Sequence, residues 1–279
     1  MRKFAFVVFD IENKITERFG VDLITGPSGL GFKLKLSTLE GDIVDTLTKV
    51  AQEKQSVGMT VNFFRQGYER YLILSQWLQK YSVIDSRMAL EYDDGVQVRY
   101  MEGRVTNLGK TEIDEYNVLS CEATFTPLTP FFVNVENTIR IRVSAVGKSY
   151  PFRYPYSYGK NVVENNRIEN SYIADIPVTV KITGVISEPT VLLLDENGNE
   201  YTRIRFPEVD LAEGQYIIIN SATRKIWFFD GIVLQDYSAG TDPQHDTFLF
   251  AQRGISTISV NLASSDSGEL TGSWRQYGL

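Results

Sequence analysis

The chain is poor in the residues that usually announce chemistry. Of its 279 residues, one is cysteine, Cys121, and one is histidine, His245. A single cysteine excludes an intrachain disulfide and any cysteine-based zinc site. Within the alternating run NVLSCEATF it reads as a small buried hydrophobe rather than a nucleophile. No apolar run approaches the ~20 residues of a membrane-spanning helix, so no membrane contact is expected. Nor is there a basic tract. Lys and Arg number 28 against 35 Asp and Glu, for a net charge of −7 and a pI near 5.0. The charge is evenly divided between the two halves, which argues against a nucleic-acid binder. The opening MRKFAFVVFDIENK lacks a cleavage site, and Asp10 and Glu12 interrupt its apolar run. It reads as a first strand and not a signal peptide, so folding in a cytoplasm is expected.

What is present is β-structure. Hydrophobic residues make up 43%, enough for a proper core, with 15 Tyr and 16 Phe. Aromatic and β-branched enrichment favours sheets. The segment from Pro177 to Gly231 is the clearest. Val178, Val180, Ile182 and then Val191, Leu193 keep period two, and Asn197-Gly198 between such runs is a strong hairpin signal. Arg140, Arg142 and Ser144 alternate with Ile139, Ile141 and Val143. Further strands are expected over 185–201, 214–220, 224–229, 247–251, 254–262 and in the tail. Short strands at this spacing indicate a sandwich or barrel.

The first half is more mixed. Strands are expected around Phe4–Val8, Lys33–Leu36 and Met59–Phe64, with an irregular loop over Glu17–Leu30, which carries three glycines and a proline. Asp45–Gln52 is a weak helical candidate. The best helix is Gly67–Ser82, where Tyr71, Leu74, Leu78 and Tyr81 form one apolar stripe. That stripe either packs on its own sheet or makes a subunit contact. MALEYDDGVQVRYMEGRV reads as a hairpin turning at Asp93-Asp94-Gly95. Pro127 and Pro130 stop the strand that precedes them, which places a domain boundary near Asn134. The expected architecture is mainly β with one principal α-helix, divided into residues 1–133 and a C-terminal β-sandwich, 134–279.

Candidate chemistry is thin. His245 lies near Asp236, Asp242 and Asp246, a set that suits either a cation or a solvated loop, and the spacing fits no defined calcium loop. Asp93/Asp94 and Asp195/Glu196 are better explained by turns than by a glycosidase pair. No nucleophile elbow and no phosphate-binding glycine loop is present, so an enzyme is not expected, nor any cofactor or metal. Tyr150, Phe152, Tyr154, Tyr156 and Tyr158 alternate, and an extended backbone would put all five rings on one face. Such a row could stack on sugars, cover a partner or close a core edge.

Two stretches resemble the siphovirus distal tail protein family. One is Leu211-Ala212-Glu213-Gly214-Gln215-Tyr216-Ile217-Ile218-Ile219-Asn220 followed by Arg224-Lys225-Ile226-Trp227, after the strands Val178–Gly184 and Pro189–Leu194. The other is the exit ATFTPLTPFF, Ala123–Phe132. The resemblance implies a structural virion protein without catalytic residues. The first domain would form a ring of six copies, a hub in the tail tip, with Tyr71, Leu74 and Leu78 as candidate contacts between copies. The second would be a galectin-like or carbohydrate-module-like sandwich outside the ring. Implied partners are the tail tube protein, the tail-associated fibre or lysin protein and the tape measure protein. DNA would pass through without being held, and assembly would occur in the bacterial host cytoplasm. The alternative is a carbohydrate-binding sandwich protein in host-surface recognition, using Tyr154, Tyr156 or Trp227 as platforms.

Overall fold

A computed structural model of the chain describes residues 3–21, 23–31, 33–39, 46–144, 162–164, 166–261 and 267–277. The chain divides into two compact units, Met1–Val133 with Tyr277–Leu279, and Asn134–Gln276.

In the first unit, β1 (Lys3–Phe9) lies between β2 (Ile15–Gly20) and β7 (Arg87–Asp93), antiparallel to both. The segment expected to be an irregular loop therefore holds β2 and β3 (Leu23–Ser28). Gly26-Pro27 falls in β3, where the register against β6 (Val57–Phe63) slips between Thr25 and Ser28. A bulge of this kind breaks the alternation that would have revealed the strand, and an edge strand tolerates the proline. β4 (Lys33–Leu39) and β5 (Thr46–Glu53) form a separate two-stranded sheet. This corrects the helix expected over Asp45–Gln52: Thr46, Thr48 and Val50 are β-branched, and pairing along the whole of β4 decides the conformation.

β8 (Val98–Leu108) changes partner midway. Val98–Glu102 pairs with β7, and from Gly103 onward the strand pairs with β9 (Leu119–Pro127), which in turn pairs with β6. Gly103 is the corner. A Cβ there would lie 2.3 Å from the Thr126 carbonyl oxygen and 2.6 Å from the Phe125 ring, so only glycine lets the two strands approach. Inside the resulting curl the alternation is strict. Val57, Met59, Val61 and Phe63 meet Leu119, Cys121, Ala123 and Phe125, all buried. Burial also pushes the Cys121 thiol up, as suits an inert core residue.

Helix α1 (Gly67–Lys80) covers this core. Gln66 adopts left-handed φ 52° before it, and a Cβ on Gly67 would sit 2.7 Å from Leu119 Cβ, so the first turn rests on β9. Of the stripe, Leu74 and Leu78 are buried in the core and Tyr71 and Tyr81 pack at its edge.

β10 (Phe132–Ser144) carries the chain into the second unit, where β11 (Val162–Glu164) pairs with it. There β13 (Ile176–Ser187) is central, flanked by β17 (Tyr216–Asn220) and β22 (Ser267–Tyr277). β18 (Lys225–Phe229) and β19 (Leu234–Asp236) extend the β17 side. The two-residue strands β16 (Asp210–Leu211) and β20 (Phe250–Ala251) pair with the ends of β13. The second sheet runs in the order β12 (Arg167–Asn170), β21 (Gly254–Asn261), β14 (Thr190–Leu194), β15 (Glu200–Arg205). Val178, Val180, Ile182, Ile217, Ile219 and Ile226 of the large sheet are fully buried, as are Val191, Leu193, Ile204 and Ile258 of the small one. Two sheets that each bury one alternating aliphatic face make a sandwich. Gly198 takes φ 81° in the β14–β15 turn, as Asn197-Gly198 requires.

Candidate interaction surfaces

The β4–β5 arm leaves β3 and returns to β6, pairing from Lys33↔Glu53 to Leu39↔Thr46, with no third strand beside it among the described residues. Leu34 and Leu36 lie two residues apart, on one face, and are 42% and 57% exposed. A Lys33–Glu53 ion pair of 3.0 Å ties the strands near their base. An isolated two-stranded hairpin is marginal in water, and this one also shows apolar residues to solvent.

The helix does not offer the surface first expected of it. Leu74 is 0% exposed and Leu78 is buried beside it, so neither can touch another copy; their role is to close their own core. Tyr71 is half-buried and packs on that core. The exposed apolar residues on α1 are Leu72 at 57% and Ile73 at 49%, which the stripe excluded. One flank of the helix is fixed to β2: Trp77 donates its indole N–H to Glu17 at 3.1 Å and Lys80 donates at 2.9 Å. The Tyr81 hydroxyl, with Lys80 behind it, holds the Glu17 carboxyl below its ordinary range.

A buried charge lies between β7 and β8. Arg87 donates to Glu102 from Nη2 at 2.7 Å and from Nε at 3.1 Å, and from Nη1 to the Asp10 carbonyl at 2.7 Å. Its guanidinium stands 5.8 Å from the Phe9 ring centroid. Burial raises the Glu102 carboxyl above its ordinary range against the pull of Arg87. Nearby, Tyr277 meets Phe132 edge-on at 5.9 Å, and burial pushes its hydroxyl upward. These groups are locked into packing, and no polar group among them faces an open cleft. The pair is structural.

In the second unit Tyr154 and Tyr156 lie outside the described residues, as does the rest of the aromatic row. Trp227 sits on β18, half-buried, with Lys225 Nζ 5.5 Å from its ring. On the same sheet face, Tyr216 stacks on Phe229 at 4.7 Å and Lys181 Nζ lies 4.1 Å from the Tyr216 ring. The rings of that pair are thus already occupied. His245 lies 3.8 Å from Asp242, which also turns the loop by accepting from the Gln244 N–H. Among the described residues no group of three or more His, Cys, Asp or Glu side chains is placed to hold a metal ion.

A polar cleft was not foreseen. It has a volume of about 180 Å³ and lies between the β14–β15 turn and the segment leading into β21, lined in part by Asp195, Glu196, Tyr201, Gln252 and Arg253. Asp195 locks the turn: Oδ2 accepts from the Asn199 side-chain amide at 3.0 Å and Oδ1 from the Asn199 and Asn197 N–H groups at 2.8 Å, which together hold its carboxyl below the ordinary range. The Tyr201 hydroxyl and Ser256 Oγ are 2.7 Å apart at the floor. Turn chemistry made Asp195-Glu196 legible as a turn; only pairing across the sheet brings residues 252–256 opposite it.

These features define a β-rich protein with apolar residues exposed on an arm and a helix. Residues 9–128 match the family model of the distal tail protein, N-terminal domain. That match falls within the first unit, and over it the chain is similar to the phage distal tail protein family. No curated protein sequence matches it. Among solved structures it is similar to a chain of the phage p2 baseplate in its activated conformation, at 15% identity and a TM-score of 0.71, covering 100% of this chain and 99% of that one. It is also similar to the SPP1 Dit protein, described as a paradigm of the hub adsorption apparatus in phages infecting Gram-positive bacteria. There the identity is 12%, the TM-score 0.55 and the coverage 99% of each chain. At these identities the likeness speaks for the fold.

Proposed function

We propose that this chain is a phage distal tail protein and forms a hexameric hub in the virion tail tip. Its first unit builds the ring that joins the tail tube protein to the receptor-binding tip, and its second unit lies on the outside. The tail-associated fibre or lysin protein attaches below, the tape measure protein and then DNA pass through the centre, and no reaction is catalysed. Assembly takes place in the host cytoplasm.

The observation that carries the ring is the β4–β5 arm. It shows Leu34 and Leu36 to solvent and has no third strand among the described residues, which suits a segment that completes itself on a second copy. The exposed Leu72 and Ile73 on α1 are a second apolar surface of the same unit and replace Leu74 and Leu78 as the helix contacts. Each copy carrying both surfaces can pair head to tail, and such heterologous contacts close into rings. Light scattering of the purified chain is expected to give six times its 31.7 kDa mass. Leu34→Asp with Leu36→Asp should give a folded monomer with unchanged circular dichroism. A wild-type chain that stays monomeric at high concentration, or a double variant that still forms the oligomer, defeats the proposal.

A further inference from the structure

We propose that Asn197 is the deamidation site of this chain, and that the β14–β15 turn gates the reaction, with Asp195 as the residue that holds the gate closed. The reading goes beyond the hub and does not depend on it.

Asn-Gly occurs once in the sequence, at Asn197-Gly198. The Gly198 amide nitrogen can lose its proton and attack Asn197 Cγ. A C–N bond forms, the bond to Nδ2 breaks, and that nitrogen leaves as ammonia with the proton. Water then opens the succinimide at either carbonyl and yields aspartate or isoaspartate. Glycine favours the step because it has no Cβ to crowd the forming ring. Both residues are exposed, and among the described residues nothing lies within 4 Å of where a Gly198 Cβ would stand, so water reaches the turn.

The competing sites are closed for other reasons. The Asn-Ser pairs begin at Asn170 and Asn220, which are 4% and 0% exposed. Asn170 donates its amide to the Ala174 and Ala251 carbonyls at 3.0 Å, and Asn220 accepts the Thr223 N–H on its side-chain oxygen. The Asp-Gly pairs begin at Asp94 and Asp230 and offer carboxylates, which are poor electrophiles. Asp230 is held below the ordinary range by the Val233 and Ile232 N–H groups and so stays ionised.

The folded turn opposes the attack at Asn197. The Gly198 N–H is donated to the Asp195 carbonyl at 3.0 Å, so the nitrogen is held in the turn with its proton engaged. The Asp195 N–H donates to the Asn199 carbonyl at 2.8 Å. Asp195 Oδ1 accepts the Asn197 and Asn199 N–H groups, which flank Gly198, and Oδ2 accepts the Asn199 amide. This places a carboxylate charge beside the nitrogen that must become an anion. Glu196 ties the turn across to the Ile255 N–H at 3.2 Å. Isoaspartate would lengthen the backbone by one carbon between residues whose hydrogen bonds fix their spacing, so the turn resists the product as well. Opening of the hairpin tip is then the step that admits the reaction.

Ageing the full chain in mildly alkaline buffer, folded and in urea, tests this. Peptide mapping by mass spectrometry locates the amide-to-acid change, and chromatography separates aspartate from isoaspartate. In urea Asn197 is expected to convert before any other asparagine. In the folded chain it should convert at least roughly tenfold more slowly, the worth of a single retained hydrogen bond. Asp195→Ala should restore roughly tenfold or more of the lost rate in the folded chain. The gain should be confined to Asn197, with Asn170 and Asn220 intact; global unfolding would expose all three. Equal rates for the folded and urea-treated chain overturn the proposal, as does another asparagine reacting first in urea. An unchanged rate in Asp195→Ala, or acceleration spread equally over Asn170 and Asn220, removes the gate.

Discussion

The two units are both antiparallel β-structure, yet they close their cores by different means. The first bends one sheet sharply at Gly103 and covers it with a helix through Leu74 and Leu78. It buries an ion pair between β7 and β8 and shows apolar residues on an arm and on the outer face of α1. The second covers one sheet with another and keeps its carboxylates at exposed turns, where Asp195, Asp230 and Asp236 accept backbone N–H groups. Among the described residues the second unit exposes fewer large apolar side chains, Ile232 and Val233 among them. The first has specialised interior contacts and surplus apolar surface, the profile of a unit shaped by what it assembles with. The family model matches within that unit.

Removing half of the buried pair should break the contrast most visibly. Glu102→Ala leaves Arg87 buried without its carboxylate and should cost the first unit about 3–5 kcal/mol. Replacing both by apolar residues, Arg87→Met with Glu102→Leu, should recover most of that loss. Urea unfolding followed by Trp77 fluorescence reads the first unit, while Trp227 and Trp274 read the second. An equal loss in both units would show that they do not unfold separately.

The helix gives a sharper version. Leu74→Ala opens a cavity in a closed core and should cost about 2–5 kcal/mol. Leu72→Ala, two residues earlier on the exposed face, should change stability by no more than about 0.5 kcal/mol. If the two cost the same, the assignment of faces on α1 is wrong.

The smallest effect should come from pH. In the second unit the folded state holds Asp195, Asp230 and Asp236 below their ordinary range, chiefly through hydrogen bonds from nearby residues. The unfolded chain therefore binds protons first, and stability present above the ordinary carboxylate range is lost as pH falls through the folded values. Glu102 acts in the opposite sense. Burial raises it, so its contribution is full below the ordinary range and is lost as pH rises through the folded value. Glu17, held low by Tyr81 and Lys80, partly offsets Glu102 within the first unit. Mild acidification should thus weaken the second unit more than the first. Urea midpoints of Trp77→Phe, which keeps only the second unit's indoles, compared with those of Trp227→Phe with Trp274→Phe, measure the difference. Equal shifts would remove it.

Turns were the most legible part of the fold. Asp93-Asp94-Gly95 and Asn197-Gly198 specify their own geometry through side-chain acceptance and positive φ, and both hairpins form there. Strands with unbroken alternation were nearly as plain, Leu119–Phe125 and Val178–Ile182 among them. The failures fall where a partner overrides local preference. Thr46–Glu53 becomes a strand because β4 pairs with it, and Leu23–Ser28 was hidden by its bulge.

The candidate surfaces were least legible. A stripe at helical spacing names the residues that can be buried together, and Leu74 and Leu78 are buried for that reason; the residues left outside, Leu72 and Ile73, carry no pattern. The cleft escaped because Asp195 and Arg253 are brought opposite one another only by the pairing of β14 with β21.

By itself the sequence determined the β class, the principal helix, the hairpin turns and the likeness to the distal tail family. Those follow from period-two alternation, turn residues and short motifs, all of which act between near neighbours. The tertiary structure decided which faces are closed, where one sheet turns its corner at Gly103, and which apolar residues stay exposed on the arm and the helix. Burial and close approach depend on what distant segments bring to the same place, and no local pattern encodes that.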